Sequence, residues 1–273
     1  MGDFDFKGKR VVVAGCYSGM GEAAARELID QGAEVHGFDI RPSGLELASF
    51  NQLDLRDPAS IDAAAAKVAG TIDCLFTCTG LPQTFPAADV MRVNFAGMRH
   101  WTEALLPRIR RGGSVATITS SAAFAYLQRL PTIMEIVATP DFPKACAWVD
   151  SHPEVVADGY TFSKEAATVW IMQRAVRTIQ EQGVRMNALL PGPTETPMMG
   201  DFIKAATAPV IDVFTQPINR RSSAREQALP LLFLNSDAAS YINGHALFVD
   251  GGFAAGVITQ QIDVAASVEK ALA

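Results

Sequence analysis

The fold is decided by residues 11–21, which read VVVAGCYSGMG. The three valines are typical of a buried strand, and the glycines at positions 15, 19 and 21 allow a tight turn before a helix that continues towards Gln31. Residues 34–39 are again strand-like. Parallel strands joined by a helix require a right-handed crossover, so this stretch predicts the first unit of a parallel sheet.

The same alternation continues along the chain. Asp57 and Pro58 predict the N-cap and first turn of a helix through Val68. With 273 residues, 49% of them hydrophobic, the chain is long enough for one domain with an extensive core. We expect a single α/β domain over residues 1–273, a Rossmann-type doubly wound parallel sheet of about seven strands. Further strands are predicted at 72–77, 114–118, 184–190 and 246–249, and further helices at 88–111, 160–182 and 224–234.

Composition and charge argue against several partners. The formal net charge is -6, whereas nucleic-acid binding draws on clustered Lys and Arg. The arginines at 108, 110 and 111 are interpreted as the solvated end of a helix. No apolar run reaches the length of a bilayer span, residues 1–10 lack the apolar core of a secretory signal, and the four cysteines lack paired metal-ligand spacing. We therefore expect a cytoplasmic protein without nucleic-acid partner, membrane anchor or metal.

The glycine turn and the second strand predict a dinucleotide site. Amides at a helix N-terminus attract a pyrophosphate, and glycines let the backbone approach it. Asp39 ends the second strand, where a carboxylate accepts hydrogen bonds from an adenine ribose and repels a 2′-phosphate. This favours NAD over NADP, although Arg41 offers a phosphate contact and Asp39 also suits a turn. Asp54 is either an adenine contact or a loop cap.

Tyr160 and Lys164 lie four residues apart in a predicted helix and share one of its faces. A free tyrosine has a pKa of about 10. A positive charge about 4 Å away is worth roughly 4 kcal/mol at an effective dielectric constant of about 20, or roughly three pKa units. The pair therefore predicts a proton donor and acceptor near neutral pH, although this spacing also occurs by chance on surface helices.

In this order the motifs resemble the short-chain dehydrogenase/reductase family over nearly the whole chain. Pro191-Gly192 resembles the segment that holds a nicotinamide carboxamide, and Asp250-Gly251-Gly252 resembles the closing motif. The family's Asn-Ala-Gly segment reads Cys78-Thr79-Gly80 here, which is a departure. The resemblance implies catalysis by Asn94, Ser120, Tyr160 and Lys164, and cofactor binding by Gly15, Tyr17, Ser18, Gly19, Met20, Gly21, Asp39, Asp54, Leu55, Gly80, Tyr160, Lys164, Pro191, Thr194 and Thr196.

The chemistry implied by the resemblance is NAD-dependent interconversion of an alcohol and its carbonyl by hydride transfer. Tyr160 would take the hydroxyl proton in oxidation and return it in reduction. Lys164 would lower the pKa of Tyr160 and bind the nicotinamide ribose. Ser120 would donate a hydrogen bond to the substrate oxygen, and Asn94 would hold its helix and a water leading to Lys164.

The interval from Ser120 to Tyr160 is longer than is common in this family and predicts a helical insertion at about residues 124–158. Prolines divide it into short helices, and its apolar residues would wall one side of a pocket, with a second wall at about residues 197–217. Alternatively the insertion covers the core or builds a subunit contact. The apolar residues are Phe124, Tyr126, Leu127, Leu130, Ile133, Met134, Ile136, Phe142 and Trp148, and the predicted pocket residues are Ser120, Ala122, Tyr160, Gly192, Met198 and Met199.

Within the family the chain resembles both 3α-hydroxysteroid dehydrogenase/carbonyl reductases and coniferyl-alcohol dehydrogenases. We therefore expect a bulky hydrophobic ring-bearing alcohol or ketone as substrate, either a hydroxysteroid or an aryl-propenol. One alternative is a fatty-acyl ketoreductase, against which Asp39 and the insertion argue. Another is a non-catalytic NAD-binding module, against which the intact catalytic residues argue. The helix after Tyr160 is more apolar than one buried face requires, which predicts a homodimer or homotetramer.

Overall fold

The computed structural model describes residues 4–273, and a parallel sheet of seven strands lies at its centre. Residues 1–3, part of the segment in which no secretory signal is expected, lie outside the described residues. The strands in chain order are β1 (Arg10–Ala14), β2 (Glu34–Asp39), β3 (Ser49–Gln52), β4 (Ile72–Thr77), β5 (Ile109–Ile118), β6 (Arg185–Pro191), β7 (Thr194–Glu195), β8 (Ser222–Ser223) and β9 (Ala246–Val249). The short strands β7 and β8 pair with each other. The sheet has the order β3-β2-β1-β4-β5-β6-β9, which confirms the doubly wound α/β prediction.

Helices cover both faces of this sheet. Val12 and Leu75 point into the apolar core on one face, and Val11 and Phe76 point into the core on the other, as the alternation of side chains along a strand requires. No helix within residues 4–273 has the length and apolar character needed to span a membrane. The helices are α1 (Gly19–Asp30), α2 (Pro58–Lys67), α3 (Ala87–Met91), α4 (Met98–Leu105), α5 (Leu130–Val137), α6 (Phe142–Ser151), α7 (Tyr160–Gln182), α8 (Met199–Ala206), α9 (Ala208–Val213), α10 (Ala224–Asn235), α11 (Phe253–Ile258) and α12 (Val264–Leu272).

The predicted helix at 88–111 is wrong in its course and at its end. A π-helix, Arg92–Gly97, joins α3 to α4, and the helical path ends in a 3-10 turn before β5 begins at Ile109. Pro107 has no backbone N–H for a continuing helix, and Gly112 has a left-handed backbone with φ of 82°. Arg110 is therefore a strand residue that pairs with Asp73 at 2.5 Å, not the solvated end of a helix.

The insertion packs against α7. The segment is divided into a 3-10 helix, Ser121–Arg129, and the two short helices α5 and α6. The 3-10 segment and α5 contact α7, and Ile133 and Ile136 are buried in the same core as Ala166 and Ile171 of α7. Most apolar residues of α7 up to Ala175 are buried within the chain itself, so they do not require a subunit contact, and the homo-oligomer stays a prediction.

Candidate active site

The glycine turn joins β1 to α1 at the carboxyl edge of the sheet. Gly15 has a φ of 90°, and a Cβ there would lie 2.8 Å from the backbone of Cys78. A Cβ on Gly21 would lie 2.0 Å from the carbonyl oxygen of Gly15. The side chain of Ser18 does not cap α1, which leaves the first-turn amides available to an anion. The turn therefore has the close packing and the open helix N-terminus that a pyrophosphate needs.

Asp39 lies at the end of β2, beside the glycine turn. Its Oδ2 accepts a hydrogen bond from the backbone N–H of Tyr17 at 3.0 Å, and its Oδ1 accepts one from the backbone N–H of Arg41 at 3.2 Å. The Arg41 guanidinium lies 4.9 Å from the centre of the Tyr17 ring. The carboxylate is thus fixed by backbone amides next to the turn, where an adenine ribose is expected.

Asp54 and Leu55, which the resemblance assigns to the cofactor, have other partners in this structure. Arg56 donates to Asp54 through Nη2 at 2.7 Å and holds the pKa of that carboxyl below its usual value. Leu55 is buried, and a Cβ on Gly97 would lie 2.1 Å from its carbonyl oxygen. The arrangement of Asp54 agrees with the loop-cap alternative, while Leu55 packs against the π-helix.

The predicted catalytic serine, tyrosine and lysine meet at one cavity. Ser120 follows β5, Tyr160 begins α7 and Lys164 lies one turn further along that helix. Lys164 is 5% exposed, with its Nζ 3.5 Å from the carbonyl oxygen of Ile118 and 5.7 Å from the centre of the Tyr160 ring. The Ser120 Oγ accepts a hydrogen bond from the backbone N–H of Ala122 at 3.1 Å, so its own hydroxyl proton stays free to donate elsewhere.

Burial controls the protonation of this pair. Desolvation raises the pKa of Tyr160 to about 12, a rise that the Ser120 side chain opposes. Desolvation also lowers the pKa of Lys164 to about 8. Burial disfavours the charged form of both groups, so the lowering of the Tyr160 pKa by Lys164 stays a prediction that has to overcome this shared desolvation.

Asn94 lies in the π-helix and is 2% exposed. Its Oδ1 accepts from the backbone N–H of Leu81 at 2.7 Å, and its Nδ2 donates to the carbonyl oxygen of Leu81 at 3.0 Å and to Ser163 Oγ at 3.2 Å. A Cβ on Gly80 would lie 3.4 Å from both Asn94 Oδ1 and Lys164 Nζ. Asn94 therefore ties the exit of β4 to α7 beside Lys164. π-helices are rare in proteins, and those that occur are often found at functional sites.

The cavity at these residues has a volume of about 340 Å³ and mostly apolar walls. It contains all six predicted substrate-pocket residues, and it also reaches part of the predicted cofactor set. Among residues 4–273, no group of three or more His, Cys, Asp or Glu side chains is arranged to hold a metal ion. The cofactor-set members on the wall are Met20, Gly80, Tyr160, Lys164, Pro191, Thr194 and Thr196.

The segment predicted as a second wall, residues 197–217, does line the cavity, although the sequence analysis named only Met198 and Met199 of its lining residues. Phe202, from α8, meets the Tyr160 ring edge-on, with centroids 5.1 Å apart and an interplanar angle of 74°. The spacing of Phe202, Ala206 and Val210 by four was the available signal, because it is typical of one apolar side of a helical segment. The wall residues that the sequence analysis did not name as site residues are Cys78, Thr79, Gln83, Ile118, Thr119, Ser121, Thr161, Pro193, Phe202, Ala206, Val210, Ile211, Phe214 and Phe253.

The insertion contributes little to the cavity. Of its nine apolar residues named in the sequence analysis, Phe124 lies on the wall. Ile133 and Phe142 are buried in the core, and Leu127 is 67% exposed. The expectation that the insertion forms a pocket wall is therefore correct for Phe124 alone, and the other named residues except Leu127 follow the alternative of core cover.

Comparisons with known proteins agree with the fold. The short chain dehydrogenase family model matches residues 9–132, and a model described as Enoyl-(Acyl carrier protein) reductase matches residues 153–254. The coniferyl-alcohol dehydrogenase of Pseudomonas sp. (strain HR199 / DSM 7063) is 34% identical over 246 residues, which cover 90% of this chain and 96% of the relative. The 3-alpha-hydroxysteroid dehydrogenase/carbonyl reductase of Comamonas testosteroni is 34% identical over 248 residues, which cover 89% of this chain and 95% of the relative.

A solved structure shares the whole architecture. The 3-alpha-hydroxysteroid dehydrogenase from Pseudomonas sp. B-0831, complexed with NADH, superimposes with a TM-score of 0.76 at 27% sequence identity. The match covers 93% of this chain and 99% of that chain. The likeness therefore extends over both halves of the sheet and the elements that carry the cavity.

Proposed function

This chain belongs to the short-chain dehydrogenase/reductase family, and we propose that it is an NAD-dependent dehydrogenase acting on a neutral, bulky, ring-bearing alcohol or its carbonyl. The observation that carries the proposal is the meeting of Ser120, Tyr160 and Lys164 in a cavity with otherwise largely apolar, aromatic walls. The names of the relatives add support, since they include dehydrogenases of an aryl-propenol and of hydroxysteroids.

The carboxyl edge of the sheet fits NAD. The glycine turn has no room for Cβ atoms at Gly15 and Gly21, and the first-turn amides of α1 are open to a pyrophosphate. Asp39 would accept the ribose hydroxyls, and Thr79 Oγ1 is buried on the cavity wall without a hydrogen-bond partner. When bound, NAD supplies the acceptor for a hydride. Lys164 would hold its second ribose, and the segment from Thr194 to Thr196 its carboxamide.

Tyr160 and Ser120 can transfer a proton to the substrate oxygen and hydrogen-bond to it. With a pKa of about 12, Tyr160 is protonated at neutral pH and can donate its proton to a carbonyl oxygen. Alcohol oxidation requires the phenolate, so its rate is expected to increase with pH. Ser120 donates its free hydroxyl proton to the substrate oxygen and stabilises charge that develops there. Lys164, with a pKa of about 8, is mainly charged at neutral pH.

The walls favour a neutral ring. Among the described residues that line the cavity, Lys164 is the only one with a formally charged side chain, and the mechanism uses it. A substrate carboxylate buried here would lack a partner, which is costly. Phe202 lies edge-on to Tyr160, and the rings of Phe214 and Phe253 are 5.3 Å apart. Aromatic walls in such edge and tilted arrangements pack well against flat rings.

The test is NADH formation from steroid alcohols and aryl-propenols, each measured with NAD and with NADP. We expect turnover of at least one class, with NAD preferred about tenfold or more, and a kcat/KM about tenfold lower for analogues that carry a carboxylate on the ring. No turnover of any ring-bearing alcohol, or equal use of the charged analogues, would contradict the proposed substrate class. A preference for NADP would contradict the role of Asp39.

We also propose a cytoplasmic homo-oligomer, a dimer or tetramer, without nucleic-acid or membrane partner. The support for assembly is the exposed apolar surface that Val176 and Ile179 leave on the C-terminal half of α7. The support for the compartment is that all four cysteines are free thiols in an acidic protein. Light scattering tests the assembly, and a monomer at micromolar concentration would rule it out.

A further inference from the structure

In the substrate loop, residues 197–217, the side chain of Asp212 forms an ion pair with Arg221, which lies outside the loop. The loop's apolar side chains, including Phe202 and Phe214, face the cavity. Among the side-chain hydrogen bonds and ion pairs of residues 4–273, Asp212 is the single loop side chain with a partner outside the loop. Its Oδ1 accepts a hydrogen bond from Arg221 Nε at 2.8 Å. By contrast, Asp201 pairs with Lys204 inside the loop.

The guanidinium of Arg221 also contacts the proposed cofactor segment. Its Nη1 donates to Glu195 Oε1 at 3.2 Å. Glu195 lies between Thr194 and Thr196, and a Cβ on Gly19 would lie 3.3 Å from Cγ2 of Thr196. The segment is therefore in contact range of the glycine turn. The Arg221 side chain is only 16% exposed, although both carboxylates are largely in solvent.

The backbone around Arg221 belongs to the cofactor side of this connection. Ser222, the next residue, pairs with Thr194 between β8 and β7. Thr194 Oγ1 and Ser222 Oγ are 2.9 Å apart, and the backbone N–H of Ser222 donates to the carbonyl oxygen of Pro193. The backbone next to Arg221 is thus hydrogen-bonded to the cofactor segment, and the planar guanidinium extends from there to Asp212 in the loop.

We infer that Arg221 is a positioning residue that couples cofactor binding at Thr194–Thr196 to the seating of the substrate loop over the cavity; this rests on the proposed function. When a bound cofactor orders β7, Glu195 is held where both it and Asp212 pair with the Arg221 guanidinium. That geometry holds Phe202 and Phe214 against the ring of the substrate. Because coupling between two binding sites is reciprocal, substrate binding strengthens cofactor binding by the same factor.

The test is hydrogen exchange of the loop with and without NADH, which needs cofactor binding but no turnover. The variants are Arg221→Met and the control Arg220→Met, since Arg220 pairs with Glu226 at 2.6 Å and, among the described residues, its side chain forms no hydrogen bond or ion pair with the loop. NADH should slow exchange at residues 198–216 in the wild type and in the control. In Arg221→Met this protection should fall about two- to fivefold, with protection at residues 191–196 unchanged.

Wild-type loop protection in Arg221→Met would overturn the coupling. If NADH protects neither segment of the wild type, cofactor binding itself fails and the proposed function falls with the coupling. If residues 191–196 are protected while the loop is not, the coupling alone is wrong. Equal melting temperatures of the two variants would show that neither result reflects misfolding.

Kinetics provide the second measurement. Asp212→Asn and Arg221→Met should each raise the substrate KM about two- to fivefold with kcat little changed, and the double variant should be no worse than Arg221→Met alone. Raised salt should increase the wild-type KM and leave that of Arg221→Met unaltered, since it screens only the ion pair that is present. Additive effects of the two substitutions would overturn the assignment.

Discussion

The insertion at about residues 124–158 and the substrate loop at residues 197–217 are both rich in apolar residues, yet they use them differently. The insertion buries Ile133 and Phe142 in the same core as the apolar residues of α7. The loop leaves Phe202 and Phe214 partly exposed on the cavity wall. The difference lies in what each segment faces, because α7 presents an apolar surface to the insertion whereas the loop lies over the catalytic residues. Apolar composition alone does not separate a pocket wall from core cover.

Substitutions in the insertion should act on stability. Replacing Ile133, which is fully buried, with Ala should lower the free energy of unfolding by about 2–5 kcal/mol, since it removes buried methyl groups and leaves a cavity. Denaturant unfolding measures this loss, and the KM of the remaining folded enzyme should stay unchanged. Leu127→Ala, at an exposed site in the same segment, is the control and should change stability by about 0.5 kcal/mol or less. A raised KM without loss of stability in Ile133→Ala would break the comparison.

The ion pair that fastens the insertion to α7 should have the next largest effect. Arg129 Nη2 lies 2.6 Å from Oε2 of Glu165, whose side chain is 2% exposed. Arg129→Met leaves that carboxylate buried without its cation, and because Arg129 is itself partly exposed we expect a loss of about 1–3 kcal/mol at neutral pH. Urea unfolding of the variant and the wild type measures the loss. Arg129→Met combined with Glu165→Gln should recover part of the stability.

This loss should depend on pH in a definite direction. Burial raises the pKa of Glu165, and Arg129 opposes that rise, so the variant should have a still higher folded-state pKa. A group whose pKa is higher in the folded state supports stability below its unfolded pKa, about 4.3 for glutamate, and loses that support as the pH rises through the folded value. The deficit of Arg129→Met should therefore be small in acid and grow towards neutral pH. A deficit independent of pH would contradict the assignment to Glu165.

Substitutions in the substrate loop should act on binding. Phe202→Ala removes the ring that meets Tyr160 edge-on and should raise the KM for a ring-bearing substrate about tenfold, equivalent to about 1.4 kcal/mol. The free energy of unfolding should change by less than about 1 kcal/mol, because Phe202 is only partly buried. Steady-state kinetics and denaturant unfolding on the same sample separate the two quantities. A stability loss like that of Ile133→Ala, with KM unchanged, would mean that the loop covers the core as the insertion does and does not contribute to substrate binding.

Much of the fold was predictable because its signals are local. The N-cap role of Asp57 is confirmed by its hydrogen bond from the backbone N–H of Ala59 at 2.9 Å. The glycine turn between β1 and α1 and the end of β2 at Asp39 also lie where the sequence places them. In each case the residue type and its immediate neighbours determine the conformation, so no long-range contact has to be known.

The features that were missed depend on partners far apart in the chain. The protonation of Tyr160 and Lys164 depends on burial by segments such as the end of β5, which spacing within α7 does not reveal. The cover over α7 is supplied by α5, so the helix's apolar excess had two explanations in the sequence. The segment that carries α8 and α9 was predicted as a wall, but which of its side chains face the cavity depends on its packing against distant residues such as Tyr160.

The most direct test of the central claim, that Tyr160 transfers the proton in hydride-coupled alcohol chemistry, is Tyr160→Phe. The measurement is NADH formation from the best ring-bearing alcohol, together with NADH binding by titration. We predict that turnover falls by about 10²–10⁴-fold while the dissociation constant for NADH stays within about twofold, because the substitution removes the phenol and leaves the glycine turn and Asp39 in place. Turnover close to that of the wild type, with NADH binding intact, would contradict the claim.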